Sequence, residues 1–496
     1  MKNEVIARSR RAGELWAASS WRSRHAMLAR LADVFVERQE EIVDAIVADT
    51  GKPPLDALGG DLLVTLEHFR FYGNHAERIL SPLRLGRSRL LFGSARFTRY
   101  YEPHGVALIY APSNYPLQLS MVPALTALYA GNAVVLKMSE QTPHLAAVLQ
   151  DLMQTAGLPQ HLLQVFTDAP DSAGDYLEAR PDFVCFTGST HNGRMLAERA
   201  GRLLIPSLME LGGKDAAIVF ADCSLPRTIE GVVYGAFLHS GQVCVGIKRV
   251  FVEESLYESF VAKLVERIRQ LRPVQADSGE MSASLSDALR TRLASQIDEA
   301  VQRGARVLHA QDLTGRFPVI LTDVPNDATL LRDESFGPIL CIGKFDAEET
   351  AVRRANSGDF ALGASIWTRD LRKAQRVASA LRAPNIAIND VIRNIANPEA
   401  PFGGNGASGY GRYHGAEGLL TFSKTKVVMT QRARKTRERH WFPFLPATYR
   451  QLSIIIRVRH SRIGRWFGAF AFAMALMTPY LVGATHAHTS TLQTEM

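Results

Sequence analysis

The sequence predicts an α/β protein built on a doubly wound, largely parallel sheet, and three observations carry that expectation. From Gly105 onward, apolar runs and stretches of helical period alternate in the order β-α-β-α-β. The apolar runs are nearly continuous, as strands buried on both faces require, instead of alternating apolar with polar. A second alternating set opens with Asp215–Phe220, so one Rossmann-like unit is followed by another α/β unit.

Ahead of the first buried strand, residues 5–50 place Leu28, Leu31, Val34 and Phe35 at helical spacing with charges between them. Lys52-Pro53-Pro54 breaks that pattern, and a second helical stretch is expected from about Asp56 to Ile79. Ser94–Glu102 alternates and is rich in aromatics, so it reads as a strand. Gly105–Pro112 then reads as a buried parallel strand ending in a loop. It is followed by a helix at Leu117–Ala130, a strand at Ala133–Lys137 and a helix entered through Ser139–Pro143. Strands at Leu162–Thr167 and Pro181–Ser189 complete the first set, each followed by a helix. The second set has helices near 228–239, 255–270 and 285–303, and short strands near 306–308, 318–321 and 339–345.

A hydrophobic content of 46% with 21% charged residues excludes disordered and collagen-like chains, and 496 residues suffice for more than one core. The four cysteines, Cys185, Cys223, Cys244 and Cys341, show no spacing of a zinc or redox motif and make no disulfide framework, so a reducing compartment is expected. The N-terminus lacks the apolar core of a secretory signal and reads as the first helix. The net charge of +8 is uneven. Residues 431–465 hold ten Lys or Arg and one acid, and residues 466–496 hold no Lys or Arg and one acid, leaving 47 basic and 47 acidic residues in 1–430. The body is neutral and the excess belongs to the tail, so the charge gives no reason to expect nucleic-acid binding by the body.

Four stretches carry chemistry. Gly241-Gln242-Val243-Cys244 sets a thiol among small residues after an apolar helix. Met209-Glu210-Leu211-Gly212-Gly213-Lys214 sets one carboxylate in an apolar run, where burial raises its pKa towards that of a general base. Pro112-Ser113-Asn114-Tyr115-Pro116 follows a strand's carboxyl end, where α/β sheets bind ligands, and Asn114 there can donate to an oxyanion. Phe186–Gly193 joins a strand to a helix and could cradle a pyrophosphate. Taken singly, each also has an ordinary structural reading: a core cysteine, a strand-end acid, a turn asparagine, a loop.

In combination, their order and spacing resemble the aldehyde dehydrogenase superfamily over about residues 5–430. Glu334-Ser335-Phe336-Gly337-Pro338 and Pro401–Gly404, leading to Ser408–Arg412, add to the likeness. The Ser-Asn-Tyr-Pro run and short N-terminus look most like the class 3 branch, which includes fatty and aromatic aldehyde dehydrogenases. The resemblance implies an NAD-binding domain over 1–87 and 105–209 and a catalytic domain over 210–411. It also implies bridging strands at 88–104 and 412–430 that would make a homodimer. It implies Cys244 as nucleophile, Glu210 as the base that activates water, and Asn114 with the Cys244 backbone N–H as the oxyanion site, each such donor typically contributing ~3–4 kcal/mol. Lys137 and Glu140 would bind the adenosine ribose, Gly188, Ser189 and Gly193 would face the pyrophosphate, and Glu334 and Phe336 would hold the nicotinamide end. A glutamate at position 140 repels a 2′-phosphate, which favours NAD while leaving NADP possible. Arg393 and Asn394 are expected near the substrate mouth.

Residues 466–485 are uncharged and, as a helix, long enough to cross a bilayer's hydrocarbon core. Arg457, Arg459, Arg462 and Arg465 precede them, a basic segment over 431–465 that suits anionic lipid better than nucleic acid. The span could cross the membrane, lie in its surface or pack as a soluble helix; the fatty aldehyde dehydrogenases of the class 3 branch are similar in carrying a C-terminal anchor. His486 and His488 are too thin a cluster for a metal site, and none is expected. The expected activity is oxidation of a hydrophobic aldehyde to its acid by a cytoplasmic enzyme body. Its rivals are a CoA-acylating semialdehyde dehydrogenase and a catalytically silent membrane-bound scaffold.

Overall fold

A computed structural model describes residues 2–169, 173–272, 274, 279–282, 285–310, 318–432, 436–438 and 441–460 of the chain. The stretch 466–485, expected as an anchor, lies outside the described residues. Among those described, no helix is long and apolar enough to cross a membrane. The chain divides into one unit of residues 1–85 and 98–428 and a second of 86–97 and 429–496.

In the first unit the expected continuous helical stretch 5–50 is three helices, Lys2–Ala18, Trp21–Glu37 and Gln39–Thr50. Ser20 starts the second by accepting the Ser23 N–H on its hydroxyl, and Gly51, left-handed at φ 62°, ends the third. A π-helical turn, Ala57–Leu63, then leads into the helix Val64–Leu80. Gly60 in that turn admits the Tyr115 ring, which would lie 2.8 Å from a Cβ there.

Two large sheets follow. The first has six strands in the order Gly409–Tyr410, Ser207–Glu210, Phe183–Thr187, Val106–Tyr110, Ala133–Lys137 and Leu163–Phe166. All its pairings are parallel except that of the outermost Gly409–Tyr410, which returns from far along the chain to pair with Met209 and Glu210. The register aligns Tyr110 with Lys137 and Lys137 with Phe166, so the loops after these strands emerge along one edge. The wholly buried helix Gln118–Tyr129 covers this sheet, which explains its lack of a polar face.

The second sheet has seven strands in the order Arg306–Ala310, Val319–Thr322, Ile339–Phe345, Ile247–Glu253, Asp215–Val219, Gly363–Trp367 and Asn385–Ile388. Three of these, Ile247–Glu253, Gly363–Trp367 and Asn385–Ile388, carried no expectation from sequence, nor did Ser207–Glu210 in the first sheet. A three-stranded sheet joins Leu83–Leu85, Arg96–Pro103 and Ser423–Thr430. The second unit contains the helix Pro446–His460, which bears the exposed residues Tyr449, Ile454 and Ile456.

Candidate active site

The two sheets meet in sequence at Glu210, which ends a strand of the first, and Asp215, which starts a strand of the second. Between them Gly212 and Gly213 are required by close approach. A Cβ on Gly212 would overlap the Glu334 carboxylate, and one on Gly213 would overlap the Cys244 carbonyl oxygen. The Gly-Gly turn thus seats the other two loops of the site. Glu210 itself is buried, with neither carboxylate oxygen hydrogen-bonded. Burial pushes its carboxyl well above the usual range, opposed by the charge of Arg412.

Cys244 follows a tight turn, Leu238–Gly241, in which His239, Ser240 and Gly241 are all left-handed at φ 48°, 51° and 71°. Two non-glycine residues in succession there store strain that the surroundings must hold. A Cβ on Gly241 would overlap the Gly337 carbonyl, and the Lys248 ammonium donates to the carbonyls of Gly241 at 2.6 Å and Gly337 at 2.9 Å. Cys244 emerges half-buried. Its thiol is pushed upward in pKa by burial and then by the charges of Asp215, Glu210 and Glu334, against the Val245 N–H. The Asn114 side chain, just past the strand Val106–Tyr110, donates from Nδ2 to the Gln242 carbonyl at 2.9 Å. One N–H of that amide is thereby fixed, orienting its second.

Asn114 and Cys244 both line a cavity of about 1770 Å³, with Tyr234, Phe237, Ile392 and Phe402 among its apolar walls. Arg393 also lines it and pairs with Asp390 at 2.5 Å; Asn394, expected beside it, does not line it.

Of the residues expected to hold a dinucleotide, Lys137, Glu140, Gly188 and Ser189 lie where the first sheet's strands end, and Glu334 and Phe336 precede a strand of the second. Lys137 is buried at a strand terminus with Nζ 3.6 Å from the Glu140 carboxylate, which is partly exposed. Ser189 caps the helix Thr190–Arg202, accepting the Asn192 N–H at 3.3 Å. The Gly188 N–H donates to the Glu210 carbonyl and the Gly193 N–H to that of Ser189. A Cβ on Gly193 would overlap Leu211, so its absence lets the helix close on the sheet. Glu334 accepts the Gly213 N–H at 3.3 Å, and Phe336 is left-handed at φ 42° on the same loop. An ammonium and carboxylate at one strand end, with a capped helix N-terminus two strands away in the same sheet, fit a ribose and a pyrophosphate.

Sequence reasoning missed the buried charges behind these loops. Lys214 donates to the Ser335 hydroxyl at 2.5 Å, and Asp215 accepts the Gly363 N–H at 2.9 Å. Arg249 donates to the carbonyls of Lys214 and Ala355 at 2.9 and 3.0 Å. Burial drops the Lys214 ammonium to about 8 and that of Lys248 to about 7, and raises the Asp215 carboxyl to about 7. Only Lys214, inside the Glu-Leu-Gly-Gly-Lys run, carried a sequence signal.

Residues 2–428 match the aldehyde dehydrogenase family. The chain belongs to that family. This aldehyde dehydrogenase is 37% identical over 448 residues to 4,4'-diapolycopene aldehyde oxidase of a Methylomonas species, covering 90% of this chain and 84% of that one. It is 32% identical over 440 residues to a putative succinate-semialdehyde dehydrogenase [NADP(+)] of Mycolicibacterium smegmatis, covering 86% of this chain and 84% of the relative. Among solved structures it resembles betaine aldehyde dehydrogenase from Staphylococcus aureus in complex with NAD+. The TM-score is 0.83 at 27% identity, and 89% of each chain is covered.

Proposed function

We propose that this aldehyde dehydrogenase oxidises an apolar aldehyde to its carboxylic acid with NAD, through a covalent intermediate on Cys244. The observation that carries this reading is the cavity that Cys244 lines. At about 1770 Å³ it exceeds the roughly 300–1,000 Å³ of a site for a drug-sized ligand, and Tyr234, Phe237, Ile392 and Phe402 are among its apolar walls. Two of its three arginines are paired with carboxylates, Arg267 with Glu230 at 3.0 Å and Arg393 with Asp390 at 2.5 Å, which weakens their attraction for a substrate carrying its own carboxylate; Arg227 donates Nε to the Asn389 carbonyl at 3.1 Å and keeps its charge. The relative named for 4,4'-diapolycopene aldehyde supports the same reading, whereas those named for succinate semialdehyde do not.

The thiol of Cys244 loses its proton through the open cavity, and Sγ attacks the aldehyde carbon. The oxygen that becomes negative is met by the second N–H of Asn114 Nδ2 and the Cys244 backbone N–H. Lys137, Glu140 and the helix N-terminus at Ser189 would hold NAD, which would supply the hydride acceptor needed to take the thiohemiacetal on Cys244 to a thioester. Glu210, buried and without a partner, takes a proton from the water that attacks the thioester, releasing the acid and restoring the thiolate. A base reserved for water favours hydrolysis over transfer to CoA, and the retained Cys244, Glu210 and Asn114 disfavour a silent scaffold.

With a panel of straight-chain aldehydes, kcat/KM is expected to rise from propanal to decanal by at least ~10-fold, since each buried methylene contributes ~0.8 kcal/mol. Succinate semialdehyde should be the poorest substrate. A preference for it over decanal, or CoA-dependent thioester formation, would overturn the reading.

We further propose that the C-terminal segment holds the enzyme at a membrane surface. The basic residues of 431–465, the exposed Tyr449, Ile454 and Ile456 and the uncharged stretch 466–485 support it. The full chain is expected to float with phosphatidylserine-containing vesicles and a form ending at residue 445 to stay in solution with unchanged kcat for hexanal. Co-flotation of the truncated form would refute the assignment.

A further inference from the structure

Beneath the loop that carries Asn114 lies a fully buried ion pair that the chemistry above does not use. Lys52 Nζ is 2.9 Å from Asp61 Oδ2, and both side chains are wholly inaccessible. Lys52 stands in the Lys-Pro-Pro break after the third helix; Asp61 stands in the π-helical turn. The other carboxylate oxygen of Asp61 accepts two backbone N–H groups, from Leu117 at 3.0 Å and Gln118 at 3.1 Å. Those residues directly follow Asn114-Tyr115-Pro116. The ammonium also lies 3.5 Å from the centre of the Tyr115 ring, and the Tyr115 hydroxyl donates to Asp56 at 3.2 Å.

The same ring reaches the nucleophile's loop. Tyr115 meets His239 edge to face at 5.7 Å, and His239 Nδ1 is 2.7 Å from the Ser282 hydroxyl. A residue on each side of the Tyr115–His239 contact is therefore chemically committed: Asn114 next to Tyr115, Cys244 five residues after His239. A buried ion pair is a poor source of stability, because an apolar pair of similar volume often does as well or better. What this one does that an apolar pair would not is grip two amide hydrogens and an aromatic face at fixed angles.

We propose that Lys52, acting through Asp61 and Tyr115, is a positioning residue for the oxyanion site. It keeps the second N–H of Asn114 aimed at the oxygen of an aldehyde bound to Cys244. The proposal rests on Asn114 as an oxyanion donor. Displacement of a reacting geometry by about 1 Å costs on the order of 10²-fold, so the clamp's loss is expected to lower kcat by ~10- to 100-fold.

The test is a double-mutant cycle between Lys52→Met and Asn114→Ala, read as kcat and KM for hexanal with NAD in excess. Expected is a fall in kcat for Lys52→Met with KM for NAD unchanged, and less than a 2-fold further fall when Lys52→Met is added to Asn114→Ala. A purely structural role gives the same loss in both backgrounds, and that result, or no loss in the wild-type background, overturns the proposal. If Lys52→Met alone does not fold, the charge-balanced Lys52→Met/Asp61→Asn form replaces it in the same cycle. An Asn114→Ala variant with wild-type kcat is a separate outcome: it removes the oxyanion assignment on which the proposal stands.

Discussion

Replacing Cys244 with alanine is expected to lower NADH formation by at least ~10⁴-fold while the protein still binds NAD, seen as an undiminished rise in thermal midpoint on adding it. Loss of a covalent nucleophile removes the pathway itself, and no neighbouring group can replace it: Cys185 and Cys341 are buried within strands. The fold should tolerate the change, because Cys244 is half-buried and lines an open cavity, and the turn before it is held by Lys248 through the Gly241 and Gly337 carbonyls. A matched Cys223→Ala variant should keep wild-type kcat. The thiol's environment adds a sign. Burial and three carboxyl neighbours raise its pKa, so the reactive thiolate is scarce at neutral pH and grows as pH rises. Iodoacetamide should therefore label Cys244 more slowly at pH 7 than an unperturbed thiol, with a rate that climbs into the alkaline range. Alanine-substituted enzyme retaining more than a few per cent of wild-type turnover would refute the nucleophile.

Legibility followed where the information sits along the chain. Asn114 and Cys244 are readable because each lies on a short turn, and Glu210 because it ends a strand against one, with constrained neighbours in each case. Gly212, Gly213 and Gly241 are glycine because another loop passes against them. Buried parallel strands such as Val106–Tyr110 and Ala133–Lys137 were readable from unbroken apolar runs. The strand Ile247–Glu253 was not, because Lys248 and Arg249 interrupt its run with charges. Their acceptors are the carbonyls of Gly241, Gly337, Lys214 and Ala355, spread over more than a hundred residues, so no local window contains the reason they can be buried. Gly363–Trp367 and Asn385–Ile388 are short and rich in small or polar residues; Asp215–Val219 offers an edge to the first, and the first in turn offers one to the second. Lys52 shows the same limit. Beside two prolines it reads as a helix break, and only the fold reveals that its ammonium is enclosed by Asp61 and Tyr115.

Replacing Glu210 with glutamine is expected to separate the two halves of the reaction. Glutamine keeps the shape of the side chain but cannot accept a proton, so steady-state turnover should fall by ~10³-fold, within the range of a lost general base. The first half should survive. Glu210 is one of the three carboxyl neighbours that hold the Cys244 thiol's pKa up, so its neutralisation does not slow formation of the thiolate. Mixing the variant with NAD and hexanal should give a burst of one NADH per active site and then stop, with the acyl group on Cys244 detectable as added mass. Hydroxylamine, which attacks a thioester without needing a base, should restart turnover. The wild type supplies the complementary pH signature. Only ionised Glu210 accepts a proton, and burial raises its pKa, so kcat for the deacylation-limited reaction should increase as pH rises through that pKa. The glutamine variant should lack this limb. Absence of a burst with full retention of NAD binding would place Glu210 in the first half-reaction instead, and an unchanged steady-state rate would remove it from the chemistry altogether.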